Sequence, residues 1–244
     1  MQNLVLDFGN TATKVAIFDS KSIVFQDFYE IFSISILKDL LRRYPGLGSC
    51  IYSTVIHLDE KFTNEMSQLL STIPLDYSTP IPIINSYQTP QTLGKDRLSA
   101  AVGAFSLFPG ENVLSIDAGT ALKFDFINSD GKYLGGSISP GMKIRFQSLH
   151  TFTDKLPLIS WQDFENLIGK TTQESILSGV INGMVAEIDG MINNYKTKFP
   201  DVKVVLSGGE SIYFEKLLKN SIFAVPNLVL IGLNEILKFN EEKN

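Results

Sequence analysis

The chain has 244 residues, 44% of them hydrophobic and 19% charged, with a formal net charge of -5. That composition belongs to a globular protein with material for one large core or two small ones, and the acidic balance excludes a protein that grips nucleic acid chiefly through phosphates, which needs a surplus of Lys and Arg. The single cysteine, Cys50, excludes an internal disulfide and a cysteine-built metal site, and its apolar neighbours read as those of a small buried hydrophobe.

Asp7 and Asn10 interrupt the first apolar stretch too early for a secretory leader. No apolar run reaches the ~18 to 20 residues of a membrane span, so the expected location is cytoplasmic, with no membrane and no nucleic-acid partner. His57 and His150 stand far apart and form no metal-ligand spacing.

In chain order, alternating β-branched residues predict strands over 3–8, 13–18 and 23–29, a meander joined by short polar turns. Helical spacing follows over 33–44, then a strand over 49–55, a helix over 59–70, a strand over 81–84 and a helix over 96–108. The segment "VLSIDAGTALKFDFINSDGKYLGGSISPG" then repeats the opening "LVLDFGNTATKVAIFDSKSIVFQDF": strand, Asp-x-Gly, hydroxyl residue, lysine, strand, polar turn, strand. Asp7 corresponds to Asp117 and Lys14 to Lys123. A repeat this long is a duplicated domain, not a solenoid period. The second half continues with a helix over 171–195, a strand over 203–206, a helix over 213–219, and a final strand and helix over 228–239.

The stretch "DFGNTATK" could be a plain turn, since Gly-Asn is good turn chemistry. Its second copy, "DAGTALK", favours a phosphate loop, in which glycine permits close backbone approach, N–H groups form an anion nest, and Thr and Lys donate hydrogen bonds. The acid then serves a cation that accompanies the phosphates. A third loop, "SGGE" at 207–210, ends a strand; Gly208 and Gly209 would let a flat ring lie against backbone, which places the nucleoside end of the same ligand there. There is no GxxxxGK[ST] loop, and these glycine loops join strand to strand, unlike a Rossmann site.

The polar strip "NSYQTPQTLGKDR" leads straight into an apolar helix. Asp96 is either a first-turn acid of that helix or a base for an attacking alcohol. Arg97 is mildly out of place in a first turn but suited to gripping a carboxylate or amide oxygen. Further on, "GKTTQESI" carries a capping box, with Thr171 and Glu174, and opens a helix whose Gly179, Gly183 and Gly190 leave a smooth stripe for a neighbouring helix or subunit.

Together "DFGNTATK", "YQTPQTLGKDR", "DAGTA", "GGSISPG", "GKTTQESI" and "LSGGE", in this order, resemble type III pantothenate kinases, of the acetate kinase, sugar kinase, heat-shock chaperone and actin superfamily. The resemblance covers essentially the whole chain. It implies an α/β fold of two duplicated ribonuclease H-like domains, expected here at 1–111 and 112–244, with a central ATP cleft. It implies ATP-dependent phosphorylation of pantothenate to 4'-phosphopantothenate, the first step toward coenzyme A. By match to the family's motifs, Asp7, Gly9, Asn10, Thr11, Lys14 and Thr120 bind ATP; Asp117 holds a monovalent cation, potassium or ammonium, with magnesium accompanying ATP; and Asp96 is the general base. Tyr87, Gly94, Asp96, Arg97 and Thr172 match the pantothenate contacts, and the family's enzymes are homodimers. Lys95 is given no role. Another small-molecule kinase or phosphatase of the same architecture, and a non-catalytic nucleotide-binding regulator, stay open at this point, because the acceptor rests on the strip 87–97 alone.

Overall fold

The structure, a computed structural model, describes residues 2–243. It divides into two units, one running up to Leu107 and resuming at Leu228, the other spanning Phe108–Asn227.

In the first unit β1 (Gln2–Phe8), β2 (Thr13–Asp19) and β3 (Ser22–Tyr29) form the antiparallel meander, and β4 (Leu47–Thr54) and β5 (Ser71–Pro74) add in parallel, giving the order β3-β2-β1-β4-β5. β1 is buried along most of its length because both faces of the sheet are covered. Leu4, Leu6 and Phe8 share a core with α1 (Ile34–Arg43) and α2 (Glu60–Leu69), while Asn3 faces the other way and donates to Asn234 of α7 (Leu228–Glu241), at 3.0 Å. Ser33 and Asp59 cap α1 and α2 through side-chain oxygens, the residue types favoured at that position. β6 (Ile84–Asn85) is shorter than the strand expected over 81–84: Pro80 and Pro82 remove the donors a longer ladder needs. β5 escaped the sequence reading because it is a short, half-exposed edge without clear alternation. A 3-10 turn, Pro90–Thr92, leads into α3 (Lys95–Leu107).

The second unit rebuilds the same plan with β7 (Val113–Ala118), β8 (Ala121–Ile127), β9 (Lys132–Pro140), β10 (Lys203–Ser207) and β11 (Phe223–Ala224), ordered β9-β8-β7-β10-β11. The senses match as well: two antiparallel pairings, then two parallel. This is a duplicated domain, as the sequence repeat implies, and of the ribonuclease H-like fold that the resemblance implies. Its core joins Leu114, Ile116, Phe124 and Phe126 of the sheet to Phe146 of α4 (Met142–Thr151), Leu177, Met184, Ile188 and Ile192 of α5 (Thr172–Lys198), and Phe214 of α6 (Ser211–Glu215). α5 is long and apolar enough by composition to cross a membrane, but its most buried residues lie in this core, so its apolarity is that of a core helix.

Three of the helices depart from the sequence reading. α4 was not anticipated. The expected helix over 213–219 stops at Glu215, because the N–H groups of Lys219 and Asn220 turn to the Asp189 carboxylate, each at 3.1 Å, instead of continuing the helical ladder. The final strand and helix over 228–239 are one helix, α7, which the expected halves assign to the second domain but which packs in the first unit. There Gly232 lies so close to α3 that a Cβ would overlap the Ser99 carbonyl oxygen, and the apolar run Leu228–Ile231 that reads as a strand is instead a helix buried against α3, β1 and β4.

Candidate active site

In the first unit the β1–β2 register pairs Asp7 with Lys14 and Phe8 with Thr13, leaving residues 9–12 as the turn. The Gly9 N–H closes it on the Ala12 carbonyl at 3.1 Å, and Asn10 and Thr11 stand exposed at the tip. Ser53 lies beside Asp7 across the parallel β1–β4 pair, and its hydroxyl donates to Asp7 Oδ1 at 2.6 Å. The acid is thereby held at the carboxyl end of a central strand, the usual place for a ligand site in an open α/β sheet.

The second unit repeats the pairing, Asp117 with Lys123, with a turn one residue shorter. Here the lysine reaches the acid: Lys123 Nζ lies 2.7 Å from Asp117 Oδ2, with both side chains largely buried. Thr120 is exposed at the tip. Two further segments close on this loop. Gly141, between β9 and α4, donates its N–H to the Thr120 carbonyl at 3.2 Å, and the Glu210 N–H donates to the Ala118 carbonyl at 3.1 Å. Gly208 adopts φ +95°, and a Cβ there would overlap both the Ala118 carbonyl oxygen and Asp117 Oδ1, so only glycine fits. Asp117, Thr120 and Gly208 are thus brought together, with Gly209 exposed beside them.

Glu210 is the residue of the third loop to which the sequence reading gives no role. Its carboxylate accepts from the Met142 N–H at the start of α4, a helix whose own N-cap, Gly141, supplies no side-chain bond. Among the described residues its Oε2 is buried with no hydrogen-bond partner. Burial pushes the carboxyl up to about 7, the Met142 N–H opposes this, and the charge of Asp117 adds to it. An acid after Gly-Gly reads as a solvated loop in the sequence; only the tertiary position of α4 buries it.

The acceptor strip lies in the first unit. The Gly94 carbonyl accepts the first helical bond of α3 from the Leu98 N–H at 3.1 Å, which places Asp96 and Arg97 in the first turn. Arg97 is only 7% exposed, and its guanidinium carbon stands 5.7 Å from the centre of the Tyr87 ring, a cation–π contact. Asp96 Oδ1 lies close over Gly94, where a larger residue would crowd it. Tyr87, Gly94, Asp96 and Arg97 therefore form one group, and a guanidinium at the start of a helix is suited to an anionic or amide ligand. Thr172 opens α5 and is exposed, outside the contacts described for the second unit. The capping box before it is modified: Glu174 N–H donates to Thr171 Oγ1 at 3.2 Å, but the Glu174 carboxylate takes the Lys170 N–H, at 2.7 Å.

Comparison with known proteins places these loops in context. A family model described as type III pantothenate kinase matches residues 3–194. A protein of Christiangramia forsetii named type III pantothenate kinase is 44% identical over 245 aligned residues, covering 98% of this chain and 99% of that one. Among solved structures, a conserved Campylobacter jejuni protein described as a proposed Baf family transcriptional activator superposes with a TM-score of 0.58 at 19% identity, covering 98% of this chain and 99% of the other. A polyphosphate/ATP-glucomannokinase from an Arthrobacter species does so with a TM-score of 0.50 at 14% identity, covering 98% and 99%. At these identities the two structures speak for the fold alone.

Proposed function

The chain belongs to the type III pantothenate kinase family, and we propose that it phosphorylates pantothenate with ATP, the reaction that opens coenzyme A synthesis. The observation that carries the reading within the structure is the paired hairpin, Asp7 with Lys14 and Asp117 with Lys123, at equivalent positions of two units of the same topology. Duplicated loops that each join an acid, a glycine, a hydroxyl and a lysine suit a triphosphate with its cations.

On the first unit, Gly9, Asn10, Thr11 and Lys14 would bind ATP phosphate oxygens, with Asp7 turned to a cation or its water. On the second, Thr120 would donate to the phosphates, and Gly208 and Gly209 would lie against the nucleoside. Asp117 is already neutralised by Lys123, and among the described residues no three His, Cys, Asp or Glu side chains gather to cage a metal. A monovalent cation, potassium or ammonium, would sit beside Asp117 Oδ1, and magnesium would arrive on ATP. Such cations neutralise charge on the transferred phosphoryl group. Asp96 would orient and deprotonate the primary hydroxyl of pantothenate, while Tyr87, Gly94 and Arg97, together with Thr172, would hold the rest of the acceptor. We place the enzyme in the cytoplasm as a homodimer.

A coupled assay of ADP release tests this, run with and without pantothenate and with and without potassium. Release that requires pantothenate supports the reading, and its absence would overturn it; release indifferent to monovalent cations would remove only the role given to Asp117.

A further inference from the structure

Arg145 of α4 stands at a junction of three elements of the second unit. Its Nε donates to the Pro140 carbonyl at 2.8 Å, and its Nη2 donates to Ser139 Oγ at 3.2 Å and to the Glu187 carboxylate of α5. Ser139 passes its own hydroxyl proton on to the other Glu187 oxygen, at 2.5 Å. One guanidinium, one hydroxyl and one carboxylate thus tie the end of β9 and the start of α4 to the middle of α5. The arginine and glutamate side chains are only 23% and 28% exposed, so this set is charge-assisted and partly shielded, unlike a solvated surface ion pair. The cap residue of α4, Gly141, offers no side-chain bond of its own to fix the same turn.

The segment held in this way is the one on which the β7–β8 loop rests. The β8–β9 register pairs Pro140 with Ala121 and Ser139 with Leu122, the two residues that follow Thr120. Gly141 donates to the Thr120 carbonyl, and it lies so near that a Cβ there would overlap the carbonyl oxygens of both Gly119 and Thr120. A shift of the turn at 139–141 therefore moves the loop backbone with it. We infer that Arg145, with Ser139 and Glu187, is a positioning clamp: it fixes the 139–141 turn and through it aims the exposed Thr120 hydroxyl at the nucleotide phosphates. Arg145 acts through Thr120 and touches neither substrate. The inference rests on the phosphate reading of Thr120 and deepens it by naming what holds that donor in place, since a donor displaced by even 1 Å loses most of its bond.

The test is a double-mutant cycle read by titration calorimetry of ATP with magnesium, in the absence of pantothenate, on wild type, Arg145→Ala, Thr120→Ala and the double variant. Each single variant should weaken ATP about tenfold to a hundredfold, the worth of one hydrogen bond to a charged group. The double variant should bind within about twofold of Thr120→Ala, because the clamp has nothing left to aim. Arg145→Lys, which keeps the charge and loses the fork, should fall between wild type and Arg145→Ala. Wild-type affinity in Arg145→Ala, or losses that simply multiply in the double variant, overturns the clamp: an arginine that serves stability alone lowers the urea midpoint without this coupling. Should Arg145→Ala fold poorly, Glu187→Gln opens the clamp from its other side, and unchanged ATP affinity in that variant and in Arg145→Lys overturns the inference equally. A wild type that binds no ATP refutes the nucleotide reading together with the clamp, whereas ATP binding without pantothenate-dependent turnover counts against the proposed reaction alone.

Discussion

Replacing Glu210 by glutamine removes a carboxyl that the folded chain holds at about 7 against an ordinary 4.5. The sign follows from which state binds the proton more tightly. Between those two values the folded protein keeps Glu210 neutral while the unfolded chain ionises it, so this residue's contribution to stability is intact below about pH 4.5 and is lost as pH rises toward 7 and beyond. One pKa unit is worth about 1.4 kcal/mol, which would make the full penalty about 3 kcal/mol. The side chain is only half-buried, and solvent screening reduces the effect to about 1 to 2 kcal/mol. Urea unfolding of wild type and Glu210→Gln across pH 4.5 to 8.5 measures it. The difference between the two proteins should grow by that amount in favour of the variant as pH rises. Parallel stability profiles would refute the claim that Glu210 is buried beside Asp117 as a costly charge.

Asp96→Asn should keep ATP and pantothenate binding by calorimetry and lose turnover by about 10² to 10⁴, the range of a general base; turnover at the wild-type rate would remove Asp96 from that role. Gly208→Ala forces a side chain into a positive-φ position against Asp117 and Ala118, and should cost about 1 to 3 kcal/mol in chemical denaturation and raise the KM for ATP more than that for pantothenate. Gly232→Leu should separate α7 from α3 and cost about 3 kcal/mol or more by the same measurement, the scale of a badly overpacked core. Asp189→Ala leaves the Lys219 and Asn220 N–H groups without their acceptor and should cost about 1 to 3 kcal/mol, with local hydrogen exchange accelerating at those two amides.

The duplicated half of this architecture was legible because alternation and turn chemistry are local. Asp7 with Lys14 and Asp117 with Lys123 stand at matching places in the two copies, and the strand register pairs each acid with its lysine. The position of Asp96 and Arg97 at the start of a helix was legible because the polar strip runs straight into an apolar segment, and α3 begins there. α4 was not, since Gly141 gives it no side-chain cap and its apolar residues are mixed with Lys143, Arg145 and Gln147, so neither a start signal nor a clean stripe is present. Arg145 in fact turns back to hold the Pro140 carbonyl at 2.8 Å and the Glu187 carboxylate of α5, a long-range arrangement no window of sequence contains. α7 was misread for a related reason: an unbroken apolar run fits a buried strand as well as a buried helix, and the close approach at Gly232 decides between them only in three dimensions. Glu210 needed the same information, because its chemistry comes from the helix that lies over it.

The most direct test of the central claim is identification of the product. The chain, incubated with ATP, magnesium, potassium and pantothenate, should convert pantothenate to a species heavier by one phosphoryl group on its primary hydroxyl, in equal amount to the ADP formed, as read by mass spectrometry and phosphorus NMR. Unmodified pantothenate, or ADP released without a phosphorylated acceptor, would contradict it.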